Sequence, residues 1–442
     1  MSEQPRVSEA RAGVLGPWRN VPRFLWKATE FLPELAAQGD LVRFKLGPTN
    51  AYLVNHPDLI EQVLVRDHGP LRRGGSGFQA HHFGRGSAFT LEGDEHERRR
   101  ALIEQIFGRE DVERFAHGLG ELALETAKDW RDGGVVDIAA AMSAVTLRGA
   151  NQLLLGADAE AEFKATSNAF DASREAFHRT LLPFAVVLWA LPLPVTRRYK
   201  QALGRFDSSL DRLIDKRRRA NTTRDDWLGL LIAARNGGAN GGCLSDEQVR
   251  GEAFSYIVQG APAQAMTWTW FLLSNHPEVE ARFHAELDEA LTGTPLPADL
   301  PRLPYLRNVL EESLRLYPPA WAIARETERD YELGGHVLRK GSLVLISPYL
   351  MNRDARYWPN PERFDPDRWE AHEHPPRLTY LTFGAGERVC FGQGFARMIC
   401  LLVIATLARR WRPRLVSDTV EHETFPFLQP KGGLQVRLEQ RS

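Results

Sequence analysis

Cysteine is scarce in this chain: Cys243, Cys390 and Cys400 are the three in 442 residues. They cannot staple a disulfide framework, and their spacing fits no paired zinc motif, so a reducing compartment is the simplest expectation. Charge of one sign is lacking as well. Lys plus Arg number 56 against 57 Asp plus Glu, a formal net charge of −1, which argues against a bulk electrostatic footprint for nucleic acid. No apolar run reaches membrane-spanning length, and the nearest candidate, LLPFAVVLWALPLPV at 181–195, is short and interrupted by prolines. The opening MSEQPRVSEARAGVLGPW lacks the apolar core of a signal peptide. Internal repeats and low-complexity segments are absent. The expectation is a cytoplasmic protein, monomeric, with neither a membrane nor a nucleic acid as partner.

The remaining composition, 43% hydrophobic and 26% charged, is that of a globular protein. The length allows one large mixed domain or two smaller ones. Apolar–polar alternation in LVRFKLG and AYLV predicts a small N-terminal sheet, and NHPD turns the chain into a helix. From about 94 to 234 the period is helical, punctuated at RDGG, LPLP and TTRDD. LPRLPYLRNVLEESLRLYPP is a helix ended by its double proline. DYELGGHVLRKGSLVLISPYLMNRD reads as two short strands around a Gly-Gly turn. A meander rich in Pro, Arg and Asp, WPNPERFDPDRWE, leads to LTFGAGERVCFG and a last helix, and TFPFLQPKGGLQVRL reads as a closing hairpin. The fold class is mainly α with a minor β component.

One long amphipathic helix is expected from LSDEQVRGEAF to WFLLSNHPEVEARFHAELDEAL, yet Pro262 falls inside it, in QGAPAQAMT at 259–267. An interior proline removes a backbone hydrogen bond and clashes with the carbonyl of the preceding turn, costing roughly 3 kcal/mol. The helix is therefore expected to open here.

In FGAGERVCFG (383–392), glycines at 384, 386 and 392 let the backbone approach something flat and bulky, and an arginine stands just before the cysteine. A helix begins directly after it, so its positive end favours the thiolate. Cys390 is built as an anionic ligand, with one more buried, inert thiol as the competing reading. The full pattern Phe-Gly-x-Gly-x-Arg-x-Cys-x-Gly resembles the haem-binding signature of the cytochrome P-450 family, with every signature position matched.

That resemblance extends over nearly the whole chain. It implies the cytochrome P-450 fold, a triangular helical domain with small sheets and haem b buried between the long I-helix and the L-helix. Residues 1–20 would be an N-terminal extension and 21–442 a single haem domain with no fused reductase. Cys390 would be the axial ligand to the iron, its thiolate favouring O–O cleavage. Phe383 would shield it, with Gly384 and Gly392 closing the loop. Glu312 and Arg315 of EESLR, with Arg363 of PERF, would form a buried network supporting the cysteine loop. His96 and Arg100 of GDEHERRRALIEQIF, Arg388, and Arg325 of AWAIARETERD would meet the two propionates. For Arg98 and Arg99 a solvated basic face is the alternative.

The resemblance also makes the proline-bearing stretch the I-helix, which in the family carries an acid and an alcohol that deliver protons to dioxygen. Here both are missing. One register puts Gly260 on the family glycine, Pro262 on the acid and Ala263 on the threonine; the other puts Gly260 on the acid and Ala261 on the threonine. Neither restores the pair, which leaves Gln259, Gln264 or Thr267 to position a water. Two readings stay open: a monooxygenase with a substituted proton path, or an enzyme whose substrate supplies the activated group through an N–O or O–O bond, giving nitrene or oxene transfer, dehydration or rearrangement. A haem protein that only binds a ligand is a third.

Substrate contacts carried over from the family are Phe78, His82, Phe83 and Phe89, then Ala261 and Ala263, then Ala320, Trp321, Ala322 and Ile323, and finally Phe425 and Phe427. Such a lining suits a modest-sized apolar or aromatic molecule. Plain core is the competing reading for each. Electrons would come from a ferredoxin or flavodoxin docking near Cys390, with Arg397, Arg409 and Arg410 as contacts or simply as a solvated face.

Overall fold

The structure, a computed structural model, describes residues 7–9, 17–67, 69–73, 85–106, 116–180, 189–219, 226–235, 244–257, 260–370, 376–417 and 419–441. The chain divides into two compact units: 1–75 with 130–140 and 264–442, and 76–129 with 141–263.

Every strand among the described residues lies in the first unit. Its main sheet has six strands in the order Val7–Glu9, Leu41–Leu46, Thr49–Val54, Leu343–Ile346, Ile323–Thr327, Leu71–Arg73. Leu41 pairs with Val54 and Leu46 with Thr49, the hairpin that the alternation predicts. His56 then caps the helix Pro57–Glu61, accepting the Asp58 N–H at Nδ1, with Pro57 at the first helical position. The Gly-Gly turn is also found, between Tyr331–Leu333 and His336–Leu338.

Ile323–Thr327, fifth of the six strands, is a strand that sequence reading missed: five residues with adjacent charges at Arg325 and Glu326 carry little period. The expected closing hairpin is different too. Gln429–Pro430 pairs with His422–Glu423, whereas Gln435–Gln440 pairs with Trp411–Leu415 and with Val135–Asp137. The partners of Gln435–Gln440 lie outside the expected hairpin, one of them as far off as Val135–Asp137, so local pattern could not reveal them.

The second unit is helical. In Pro194–Arg219 the buried positions Tyr199, Ala202, Phe206, Leu210, Leu213 and Ile214 recur at helical spacing. All but Ala202 join Leu154, Leu155, Trp227, Leu228 and Phe254 in one core.

The proline question resolves locally. Asp246–Ile257 is one helix, Gly260 is non-helical, and a new helix, Ala261–Asn275, starts one residue before Pro262. In a first turn the missing N–H has no intrahelical partner to lose, so the interior penalty does not arise.

Candidate active site

The cysteine loop sits at the start of Gln393–Ala408, a helix whose residues from Ile399 to Ala408 are all buried. Gly384 and Gly386 both have left-handed φ, 73° and 71°. At Gly386 a Cβ would lie 1.8 Å from the Leu64 carbonyl oxygen, so only glycine lets the loop close on the turn Gln62–Arg66. The Cys390 N–H donates to the Phe383 carbonyl at 2.9 Å, and the Val389 N–H to that of Gly386 at 3.0 Å. Cys390 itself is exposed, as is Phe391 beside it. Cys400, by contrast, is buried, and burial followed by the Glu311 charge pushes its thiol up to about 12. One cysteine is presented and the other is inert.

Behind the loop, Glu312 and Arg315 are both fully buried. Arg315 Nε and Nη2 donate to the Glu312 carboxylate at 2.8 and 2.9 Å. Its remaining N–H groups reach the carbonyls of Asn352 and Pro361, both at 2.7 Å, and of Arg363 at 3.1 Å, which satisfies the whole guanidinium. The expected third member, Arg363, is a correction. Its side chain is exposed and it contributes only a carbonyl. The second cation on Glu312 is Arg368, whose Nε donates at 2.9 Å, joined by the Trp369 indole at 2.9 Å and the Asp365 N–H at 3.1 Å.

Asn352 then ties the helix Pro304–Leu316 to the loop. It donates to the Arg315 carbonyl and to Thr382 Oγ1, and accepts the Leu381 N–H. Sequence reading missed Asn352, Arg368, Trp369 and Thr382. The only signal for them was proximity to the two motifs, in MNRD, DPDRW and LTF.

Arg325 and Arg388 are both largely buried. Arg325 lies on the strand Ile323–Thr327, and a Cβ at Gly384 would lie 3.9 Å from Ile323 Cδ1, which brings that strand to the cysteine loop. One exposed thiol at a helix start, close to Arg388 and to the strand of Arg325, is a donor set that fits a haem: a soft anionic ligand for iron and cations for propionates.

In the other unit, His96 is buried and Arg100 pairs with Glu104 at 2.8 Å, one turn apart on the helix Gly93–Ile106. Arg98 is exposed, but Arg99 is not part of a solvated face. It is buried and donates to Glu252 Oε1 at 2.9 Å. Glu252 also accepts the Ala88 N–H at 2.8 Å. Burial nevertheless holds its carboxyl above the usual range, against the pull of Arg99 and Ala88.

On the helix Ala261–Asn275, Ala261 and Pro262 are half-buried and Ala263 is buried, as is Gly260 just before it. Gln264 is 6% exposed, and its Oε1 makes no hydrogen bond among the described residues. Trp321, expected as a substrate contact, lies in a core cluster, and Phe425, expected likewise, is partly buried against it. Their rings lie 5.0 Å apart, edge to face, and both pack on Phe24 in a core cluster. Ala322 and Ile323 are half-buried, as is Phe427, while Ala320 and Phe89 are exposed. Phe78, His82 and Phe83 lie outside the described residues, as do Gln259 and Cys243. Arg397 and Arg409, expected as docking contacts, are already engaged, by Glu311 and by the Gly293 carbonyl respectively. Arg410 is exposed.

The family model for Cytochrome P450 matches residues 18–438. The chain is 36% identical to Cyclooctatin synthase of Streptomyces melanosporofaciens, over 89% of this chain and 87% of that one. It is 35% identical to Cyclooctat-9-en-7-ol 5-monooxygenase of the same organism, over 94% and 92%. With Pentalenene oxygenase of Streptomyces avermitilis it shares 32% identity over 95% and 94%. Its fold matches a solved structure of a retinoic acid bound cyanobacterial CYP120A1, with a TM-score of 0.84 at 22% identity, over 96% of this chain and 98% of that one. No helix among the described residues is long and apolar enough to cross a membrane.

Proposed function

This chain belongs to the cytochrome P450 family, and from that premise we propose that it is a monooxygenase acting on an apolar, ring-built hydrocarbon or its alcohol. It is an oxidoreductase of the P450 type with a cysteine-ligated haem b. The observation that carries the reading is the exposed Cys390 at a helix start, in a loop that only glycine at 386 can close. The substrate class follows the names Pentalenene oxygenase and Cyclooctat-9-en-7-ol 5-monooxygenase.

Bound haem supplies dioxygen activation, with the thiolate favouring O–O cleavage. The chain's own residues do the rest. Cys390 holds the iron, and Phe383 with Gly384 and Gly392 keeps the sulfur placed. Arg325 and Arg388 would take propionates, and the network of Glu312, Arg315 and Arg368 keeps the loop rigid. Gly260, Ala261, Pro262 and Ala263 carry no group that could relay a proton. That task falls to a water held by Gln264, whose buried Oε1 needs a donor. Electrons arrive from a ferredoxin or flavodoxin, for which the exposed Arg410 is a contact.

A second reading is favoured by the same stretch. With neither acid nor alcohol at 260–264, a substrate that brings its own N–O or O–O bond would need no proton relay. The test is product formation by mass spectrometry, with pentalenene and cyclooctat-9-en-7-ol as probes alongside source-organism extracts, and a surrogate ferredoxin as donor. Products formed only in air, carrying label from isotopic dioxygen, are expected. In Gln264→Ala, product per reducing equivalent should fall several-fold. Equal yields under strict anaerobiosis would overturn the oxygenase reading in favour of the second.

A further inference from the structure

Arg397 stands on the helix that follows Cys390, with its guanidinium over the Phe383 ring, 4.2 Å from the centroid. The Phe383 carbonyl in turn accepts the Cys390 N–H. The arginine is held from several sides. Glu311 accepts from Nε and, at 3.3 Å, from Nη2, while Gln393 Oε1 accepts from Nη1 at 3.3 Å. The Tyr380 hydroxyl donates to the same carboxylate at 2.7 Å. The side chain is only 27% exposed. Its rotamer freedom is already spent, which is the opposite of a mobile contact waiting for a partner.

The charges are ordered as well as fixed. Burial opposes the Arg397 charge, yet Glu311, then Tyr380 and Cys390, carry its pKa above the ordinary guanidinium value. Cys400 feels Glu311 ahead of Arg397. Both charges of the pair thus act on the inert cysteine, and the basic one is coupled to the presented cysteine as well.

We propose that Arg397 is a positioning residue for the haem-thiolate chemistry: clamped by Gln393 and by Glu311, whose carboxylate Tyr380 braces, it places a fixed positive charge behind the cysteine loop and so sets the potential at which the iron accepts an electron. The inference rests on Cys390 being the axial ligand. Reduction adds a negative charge to the iron–thiolate unit, and a nearby cation sheltered from water stabilises that charge. Outer groups of this kind tune a haem through the electron density on its sulfur.

The test is a redox titration of the purified haem protein without a redox partner, read alongside the reduced carbon monoxide spectrum. In Arg397→Gln the thiolate-type band should persist while the ratio of reduced to oxidised haem at the wild-type midpoint falls about tenfold. Arg397→Lys, which keeps the charge, should recover most of that loss. Glu311→Gln removes the opposing charge and should move the ratio upward. Tyr380→Phe should lower it modestly, because Glu311 then keeps more of its charge; this mild change serves if Arg397→Gln does not fold. An unchanged midpoint in Arg397→Gln with the band intact would overturn the proposal. So would Arg397→Gln and Glu311→Gln shifting in the same direction, or Tyr380→Phe leaving the midpoint in place. Absence of the thiolate-type band in the wild type would instead remove the Cys390 assignment beneath it.

Discussion

Two buried carboxylates, one in each unit, show what a buried charge needs. Glu312 accepts from Arg315, Arg368, Trp369 and the Asp365 N–H, so its oxygens are surrounded by donors. Glu252 has Arg99 and the Ala88 N–H at one oxygen, and its carboxyl is held up by burial. A buried ion pair is stable in proportion to the hydrogen bonds completing it rather than to the pair alone. The first acid sits in a completed shell of donors, whereas burial leaves the carboxyl of the second above its ordinary value.

The largest way to break that contrast is Glu312→Ala. It strands Arg315 and Arg368 and should cost about 3–5 kcal/mol, with loss of haem uptake, read by denaturant unfolding and by haem per protein. Next comes the choice between the two arginines of the meander. Arg368→Ala should cost about 2 kcal/mol, as for a hydrogen bond to a charged group, whereas Arg363→Ala, which keeps the carbonyl that Arg315 uses, should stay within about 0.5 kcal/mol in the same assay.

Glu252→Gln sharpens the comparison through pH. Because the folded carboxyl lies above its ordinary value of 4.5, the folded chain holds the proton more tightly than the unfolded one. Its contribution to stability is therefore full below about pH 4.5 and is lost as pH rises through the folded value. Unfolding free energy against pH should show that loss in wild type and lack it in Glu252→Gln. The smallest effect is expected from Pro262→Ala. A proline in a first turn costs little, so the melting curve should move by less than about 1 kcal/mol; a gain near 3 kcal/mol would mean that the helix runs through.

The parts of the site legible in the sequence are those whose partners are near in the chain. Cys390 with its glycines, and Glu312 with Arg315 one helical turn on, could be read because spacing alone places them together. Arg368 could not be told from Arg363, since both follow the same run of prolines and only the path of the meander decides which side chain reaches Glu312. The same limit hid the role of Arg99, which looks like one of three equivalent arginines until Glu252 is found beside it.

By itself the sequence determined the mainly helical class, the presented cysteine, the Gly-Gly turn and the absence of an acid and an alcohol at 260–264, because each is a matter of residue type and local period. Tertiary structure alone decided that Gln435–Gln440 joins Trp411–Leu415, that Pro262 opens a helix instead of breaking one, and that Arg397 is clamped by a Glu311 that Tyr380 braces. In each of those cases the deciding contact, or the helix boundary, depends on how distant segments pack, and no local pattern encodes it.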